Sequence, residues 1–253
     1  MLAEGTTLAI LALASLYDIK YREIPSIVMY IGLLVVVILR VTEYLWSQYL
    51  AYNYGLIVYS LVFDAILLAI LYILTRTGYF GEADLMAFIM IVSSRPLIGD
   101  NTYLLTIGYM TLVYYTMIML LFMVMNFIHN VLAGVRPSRK LPLRYRIVYL
   151  FIARPVRAKD YVKRPGWWYP LTDCKTYRLN FDLNKNPPEE AKRIAEQIRK
   201  GCLREDEYIW VSYGVPAIPV IALAYLLALL TGDKPLLVLF GLKMGVSRWH
   251  LIS

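Results

Sequence analysis

Apolar runs crowd the first 132 residues, at about 7–17, 27–39, 56–74, 84–95 and 103–132, and another follows at 208–230. They constrain the fold more than any other feature, because lipid offers the backbone no hydrogen-bonding partner. A helix satisfies its N–H and C=O groups within its own segment, so apolar runs in series predict membrane helices. At about 1.5 Å per residue, roughly 20 residues cross the hydrocarbon core. The run at 84–95 is short by that measure, and the run at 103–132 is long enough to tilt or project. Composition agrees: 59% of residues are hydrophobic and 17% charged, whereas soluble domains are nearer half and a quarter. The expected fold is an α-helical polytopic membrane protein with about six transmembrane helices.

Residues 133–207 break the pattern. They are rich in Lys, Arg and Pro and hold no membrane-length apolar run. We read them as a small α+β cytosolic insert before the last helix, between residues 1–132 and 208–253. Ile147-Val148-Tyr149-Leu150-Phe151-Ile152 reads as a strand, and Tyr177-Arg178-Leu179-Asn180-Phe181-Asp182-Leu183 alternates with a strand's period of two. Pro187-Pro188-Glu189-Glu190 opens a helix that runs to about Lys200, with Gly201 as its stop. The sixth helix, 208–230, is expected to kink at Pro216 and Pro219. The tail after Leu236, interrupted by Gly241, Lys243, Gly245 and Arg248, reads as a short interfacial helix. Cys174 and Cys202 form no CxxC pair and are expected to be free thiols.

Glu4, with no Lys or Arg beside it, argues against a cleaved signal peptide and for a first helix whose N-terminus lies outside. The cytosolic segments are then about 18–25, 75–84 and 133–207. They hold about 21 of the 26 Lys and Arg residues, as the positive-inside rule requires. Asp18 and Asp84 fall at that same membrane face. Ionisable groups at a membrane boundary pair, line a cavity or do chemistry. Two carboxylates in a low-dielectric setting repel, so one holds a proton and the other does not. Such a pair can activate a water against a peptide carbonyl while protonating the carbonyl oxygen. The plainer readings are that Asp84 caps the helix it opens and that Asp18 is an interfacial residue beside Lys20 and Arg22.

The residues around each acid carry a resemblance. Asp18-Ile19-Lys20-Tyr21-Arg22-Glu23-Ile24-Pro25 resembles the D-x5-I-P stretch of type IV prepilin peptidases, and Gly81-Glu82-Ala83-Asp84 resembles their G-x-G-D motif, with Ala83 in place of the second glycine. The soluble insert before the last helix, and the lack of paired CxxC motifs, resemble the archaeal preflagellin (prearchaellin) peptidases of that group. The resemblance implies an aspartic-type, metal-independent endopeptidase of the cell membrane with Asp18 and Asp84 as its catalytic pair. Its substrates would be preflagellin or pilin-like precursors, cut after a short basic leader at the cytosolic face. It assigns structural parts of the motifs to Gly81, Ala83 and Pro25.

A basic leader needs local acid, and Glu23 and Glu82 are the candidates for substrate binding, against a plain reading as solvated surface. Asp64, in the middle of the third run, is either a third functional acid or a hydrogen-bonded structural one. The only histidines are His129 and His250, so HExxH zinc chemistry is absent and a Ser-His dyad has poor material. No cofactor or metal is expected. The net charge of +8 and the cluster Arg136, Arg139, Lys140, Arg144 and Arg146 suit anionic membrane lipids rather than nucleic acid. The rival to an enzyme is a non-enzymatic transport or assembly subunit in which Asp18 and Asp84 cap helices or pair with cations.

Overall fold

The computed structural model describes residues 2–47, 54–96, 105–137, 141–174, 176–179 and 187–239. The chain opens with α1 (Leu2–Tyr21), α2 (Ser26–Ser47), α3 (Tyr54–Arg76), α4 (Glu82–Ser94) and α5 (Ile107–Leu132). It continues through α6 (Leu143–Ile152), β1 (Arg154–Arg157), α7 (Ala158–Lys163), β2 (Trp168–Pro170), α8 (Pro187–Arg199) and β3 (Tyr208–Tyr213), and ends in α9 (Ala217–Thr231) and α10 (Lys234–Leu239). Segments Leu2–Tyr21, Ser26–Leu45, Val58–Arg76 and Ile107–Leu132 are long and apolar enough to cross a membrane. The protein is therefore a polytopic helical membrane protein with a small mixed insert. Helices α4 and α9 are shorter, at about 20 and 23 Å.

The described residues divide between two compact units, one within Met1–Thr116 and Pro216–Ser253, the other within Met117–Val215. In the first, α1 packs on α2, α4 and α9, and α4 also lies against α2, α3 and α9. Helix α4 is the centre of this bundle, with Ala87, Phe88, Met90, Ile91, Val92 and Ser94 buried. Small residues permit the close crossings. A Cβ on Gly32 of α2 would fall 2.9 Å from the Ile10 side chain of α1, and one on Gly108 would fall 2.8 Å from both Leu67 and Val92. The bundle's outer faces are apolar, with Ile27, Leu34, Ile38 and Ile73 all more than half exposed. Lipid is the solvent that tolerates such a surface.

Where the sequence places the end of the second run near Arg40 and Glu43, α2 continues to Ser47 and carries Arg40 into a polar cluster. Arg40 pairs with Glu43 at 2.9 Å and Glu4 at 3.2 Å, and donates to the Ser94 carbonyl at the end of α4. Arg95 also reaches Glu4 at 3.7 Å, and the Ser94 hydroxyl bonds the Tyr225 hydroxyl of α9 at 2.8 Å. Four helices are thus tied by charge and hydrogen bonds rather than by apolar packing alone.

The insert is built on an antiparallel sheet of order β1-β3-β2, with Val156 opposite Ile209 and Tyr169 opposite Ser212. Central β3 is buried on both faces. Ile209 and Val211 join a core with Tyr161, Ile194 and Leu203, whereas Trp210 joins Tyr149, Ala153 and Leu171. That two-sided burial corrects the expected sixth helix. Residues 208–213 are a strand, because a central strand reads as a continuous apolar run. The helix starts only after Pro216, which is its N-cap, with Pro219 in the first turn. Neither proline stands in the helix interior, so neither supplies the expected kink.

Residues 147–152 are likewise helical, not a strand. Pro142 starts α6, Tyr149 buries one face, and Asn126 and Asn130 of α5 satisfy its last carbonyls. Asn130 donates to Leu150 O and Ala153 O at 2.8 Å, and Asn126 to Phe151 O at 3.1 Å. Those caps outweigh the β-branched residues, a tertiary override of propensity. Of the alternating stretch at 177–183, Tyr177 forms a bridge with Thr172, and residues 180–183 lie outside the described residues. Helix α8 matches its expectation, with Gly201 at φ +69 closing it. Cys174 and Cys202 form a disulfide, which corrects the free-thiol expectation. Distant in sequence, they meet because Cys174 packs against the core beside α8. The tail beyond Leu239, with His250, lies outside the described residues.

Candidate active site

Asp18 stands in the last turn of α1, still within the helix, not at its junction with the loop. The helix closes at Arg22, whose φ of +59 is left-handed and whose N–H donates to the Asp18 carbonyl at 3.2 Å. The Asp18 side chain turns away from its own helix. Its Oδ2 accepts the Ile218 N–H at 3.1 Å, the Ala217 N–H is also directed to it, and Arg22 lies within electrostatic reach. Ala217 and Ile218 are the first two residues of α9, so the carboxylate occupies the positive end of a helix 200 residues downstream.

Asp84 is the third residue of α4, and Gly81 is the N-cap. The Gly81 N–H donates to Asp84 Oδ2 at 3.1 Å, the returning half of a capping box. The expected capping role is therefore present, displaced by three residues. Gly81 is needed for it. A Cβ there would fall 2.9 Å from Asp84 Oδ2 and 3.4 Å from its carboxyl carbon. Because α1, α4 and α9 pack on one another, the two acids come within electrostatic reach of each other. Both carboxylates thus sit at helix N-termini, and both helices are too short to span about 30 Å of hydrocarbon.

The other expected residues differ in setting. Glu23 and Glu82 are exposed, and Ala83 is half-buried in the first turn of α4. Pro25 precedes α2, and its carbonyl accepts the Val28 N–H at 2.9 Å. Asp64 stands apart from them, buried at 3% exposure. Its Oδ1 accepts the Thr106 hydroxyl, so the hydrogen-bonded reading of this acid describes its setting. The Trp167-Trp168-Tyr169 stretch enters β2, where Trp168 packs on the insert core. Among the described residues no group of three His, Cys, Asp or Glu side chains is arranged to hold a metal ion.

Two participants escaped the sequence reading. Tyr115 of α5 lies within electrostatic reach of Asp84, and its ring meets Phe80 edge-on at 6.3 Å. Phe80 directly precedes Gly81 and also touches Phe88 of α4 at 5.9 Å between ring centres. A tyrosine in an apolar helix gives no sign of which acid it neighbours. The first turn of α9 was hidden by its assignment to the middle of a longer helix.

The arrangement offers two carboxyls, each holding one oxygen on backbone N–H donors, beside a tyrosine and an arginine. That set can take a proton from water and give one to a carbonyl without a covalent adduct. No curated protein matches the chain. Residues 145–234, which include β3 and the first turn of α9, match the family model described as the archaeal peptidase A24 C-terminus type II, and this match supports an archaeal type IV prepilin/preflagellin peptidase family for the chain.

Proposed function

We propose that this protein is a membrane aspartyl endopeptidase that removes the short basic leader from preflagellin or type IV pilin-like precursors at the cytosolic membrane face. The observation that carries the reading is the meeting of Asp18 and Asp84, 66 positions apart in sequence, within electrostatic reach of each other. One carboxylate takes a proton from water as the water oxygen attacks the scissile carbonyl carbon. The other carboxyl protonates the carbonyl oxygen, giving a tetrahedral diol. Collapse breaks the C–N bond: the proton first taken from water goes to the leaving amine, and one diol hydroxyl returns its proton to the carboxylate that protonated the carbonyl. Exposed Glu23 and Glu82 receive the basic leader, and the substrate's apolar helix supplies much of the binding by partitioning into lipid. The reaction uses no metal. Anionic lipids meet the Arg136, Arg144 and Arg146 side of the chain.

The test is cleavage of a co-expressed preflagellin in isolated membranes, read as the mass of the released leader. The parent chain is expected to cut, and Asp18→Asn and Asp84→Asn are each expected to abolish cleavage at parental expression. A chelator should leave the rate unchanged. The second reading, a non-enzymatic subunit, is favoured by one observation: both aspartates accept N–H bonds at helix ends. It predicts that Asp18→Ala and Asp84→Ala each lower thermal stability by about 1 kcal/mol, whereas the Asn variants lose only the charge–dipole attraction, and that no precursor is cut by the parent.

A further inference from the structure

An α-helix leaves its first four N–H groups without intrahelical partners, and each must be satisfied or absent. For α9 these belong to Pro216, Ala217, Ile218 and Pro219. The two prolines have no N–H to offer. The two groups that remain, on Ala217 and Ile218, are both directed to the Asp18 carboxylate. Ile218 is buried at 1% exposure, so water does not compete freely for its N–H. The Ile218 N–H is thus bonded to one side chain from α1, and the Ala217 N–H lies close enough to favour the charge on that same carboxylate.

We propose that the Pro216-Ala217-Ile218-Pro219 turn is a positioning element of the aspartyl pair, built to hold Asp18 in one orientation beside Asp84. The inference rests on the proposed endopeptidase reading. The Ile218 N–H fixes one carboxylate oxygen, and the neighbouring Ala217 N–H and the positive end of the α9 dipole add to its hold. Asp84 is fixed in the same manner by Gly81 on α4. Each acid of the pair is thereby oriented by backbone rather than by a mobile side chain, a pre-organised arrangement of the kind that catalysis rewards. The turn supplies no atom to the reaction. It acts through Asp18.

A substitution that removes a donor without disturbing the helix tests this. Ala217 is the first residue of α9, a position where proline is favoured. Pro216 before it has φ −63 and ψ 120, the extended conformation that a residue preceding proline prefers. Ala217→Pro therefore deletes one N–H aimed at Asp18 in a backbone already suited to it. Ala217→Ser keeps the N–H and serves as the conservative control. The full chain in detergent, with a preflagellin substrate, is assayed for kcat and KM per folded molecule.

Ala217→Pro is expected to lower kcat about tenfold with KM unchanged, and Ala217→Ser to leave both unchanged. The thermal-stability cost of Ala217→Pro should also shrink or vanish in an Asp18→Ala background, which removes the acceptor, because the two act through one contact. An Ala217→Pro enzyme that cuts at the parental kcat overturns the positioning role while leaving the peptidase standing. Equal losses in the proline and serine variants, or equal stability costs in both backgrounds, overturn it as well. A parent that cuts neither preflagellin nor a pilin-like precursor overturns the peptidase reading and the positioning role together.

Discussion

At the scale of single residues, the site depends on side chains that must be absent as much as on those present. Gly81 leaves the space into which the Asp84 carboxylate folds back, and a Cβ there would stand 2.9 Å from Oδ2. Gly81→Ala should therefore turn the carboxylate away and lower kcat about tenfold or more at normal expression, as measured in the leader-release assay. Ala83→Gly, two residues on at a half-buried position, restores the second glycine of the motif. It should leave kcat within about twofold and cost about 1 kcal/mol of stability through helix propensity. Both aspartates were legible in the sequence because a charge at the edge of an apolar run is conspicuous. Their partners were not. Gly81, Ala217 and Ile218 contribute backbone N–H groups, which every non-proline residue has, and only Pro216 and Pro219 hinted which would remain unspent.

At the scale of elements, periodicity or length makes a helix legible in the sequence, and two-sided burial hides a strand. Helices α1, α3, α5 and α8 followed from apolar runs or capping signals, whereas β3, sealed on both faces, was indistinguishable from the start of a membrane helix. Helix α6 was misread because its stabilising partners, Asn126 and Asn130, lie on another element. The insert core also carries a pH dependence. Burial pushes the Tyr149 and Tyr161 hydroxyls above the ordinary tyrosine range. Their neutral forms stabilise the fold fully below about pH 10, and that contribution is lost as pH rises towards the raised values. Near-ultraviolet circular dichroism of the insert signal should hold to about pH 10 and then fall together with the appearance of tyrosinate absorbance. The Cys174–Cys202 bridge closes a loop of 28 positions, worth about 3–4 kcal/mol on a chain-entropy basis. Reduction, or a Cys202→Ser substitution, should lower the thermal midpoint of the insert accordingly.

At the scale of the whole molecule, the bundle in which α1, α4 and α9 meet is held by two kinds of polar contact. One is the aspartyl end. The other is the cluster of Arg40, Glu4, Glu43, Ser94, Arg95 and Tyr225. Arg40→Met keeps the apolar stem but removes one cationic partner from the Ser94 carbonyl, Glu4 and Glu43. It should cost about 2 kcal/mol in thermal unfolding, with kcat per folded molecule preserved. The separation of these two effects would mark the cluster as scaffold and the aspartates as machinery.

Helix α9 also sets a condition on the surrounding lipid. Leu223 and Leu230 are exposed on a segment only 15 residues long, so acyl chains beside it must shorten or splay to match about 23 Å of apolar wall. Thick membranes would be compressed along that flank and resist it, whereas lipids with shorter tails would meet it at rest. If the proposed peptidase reading holds, bilayer thickness acts as a rheostat on the helix that grips Asp18, and leader release should be faster in thin vesicles than in thick ones of equal charge.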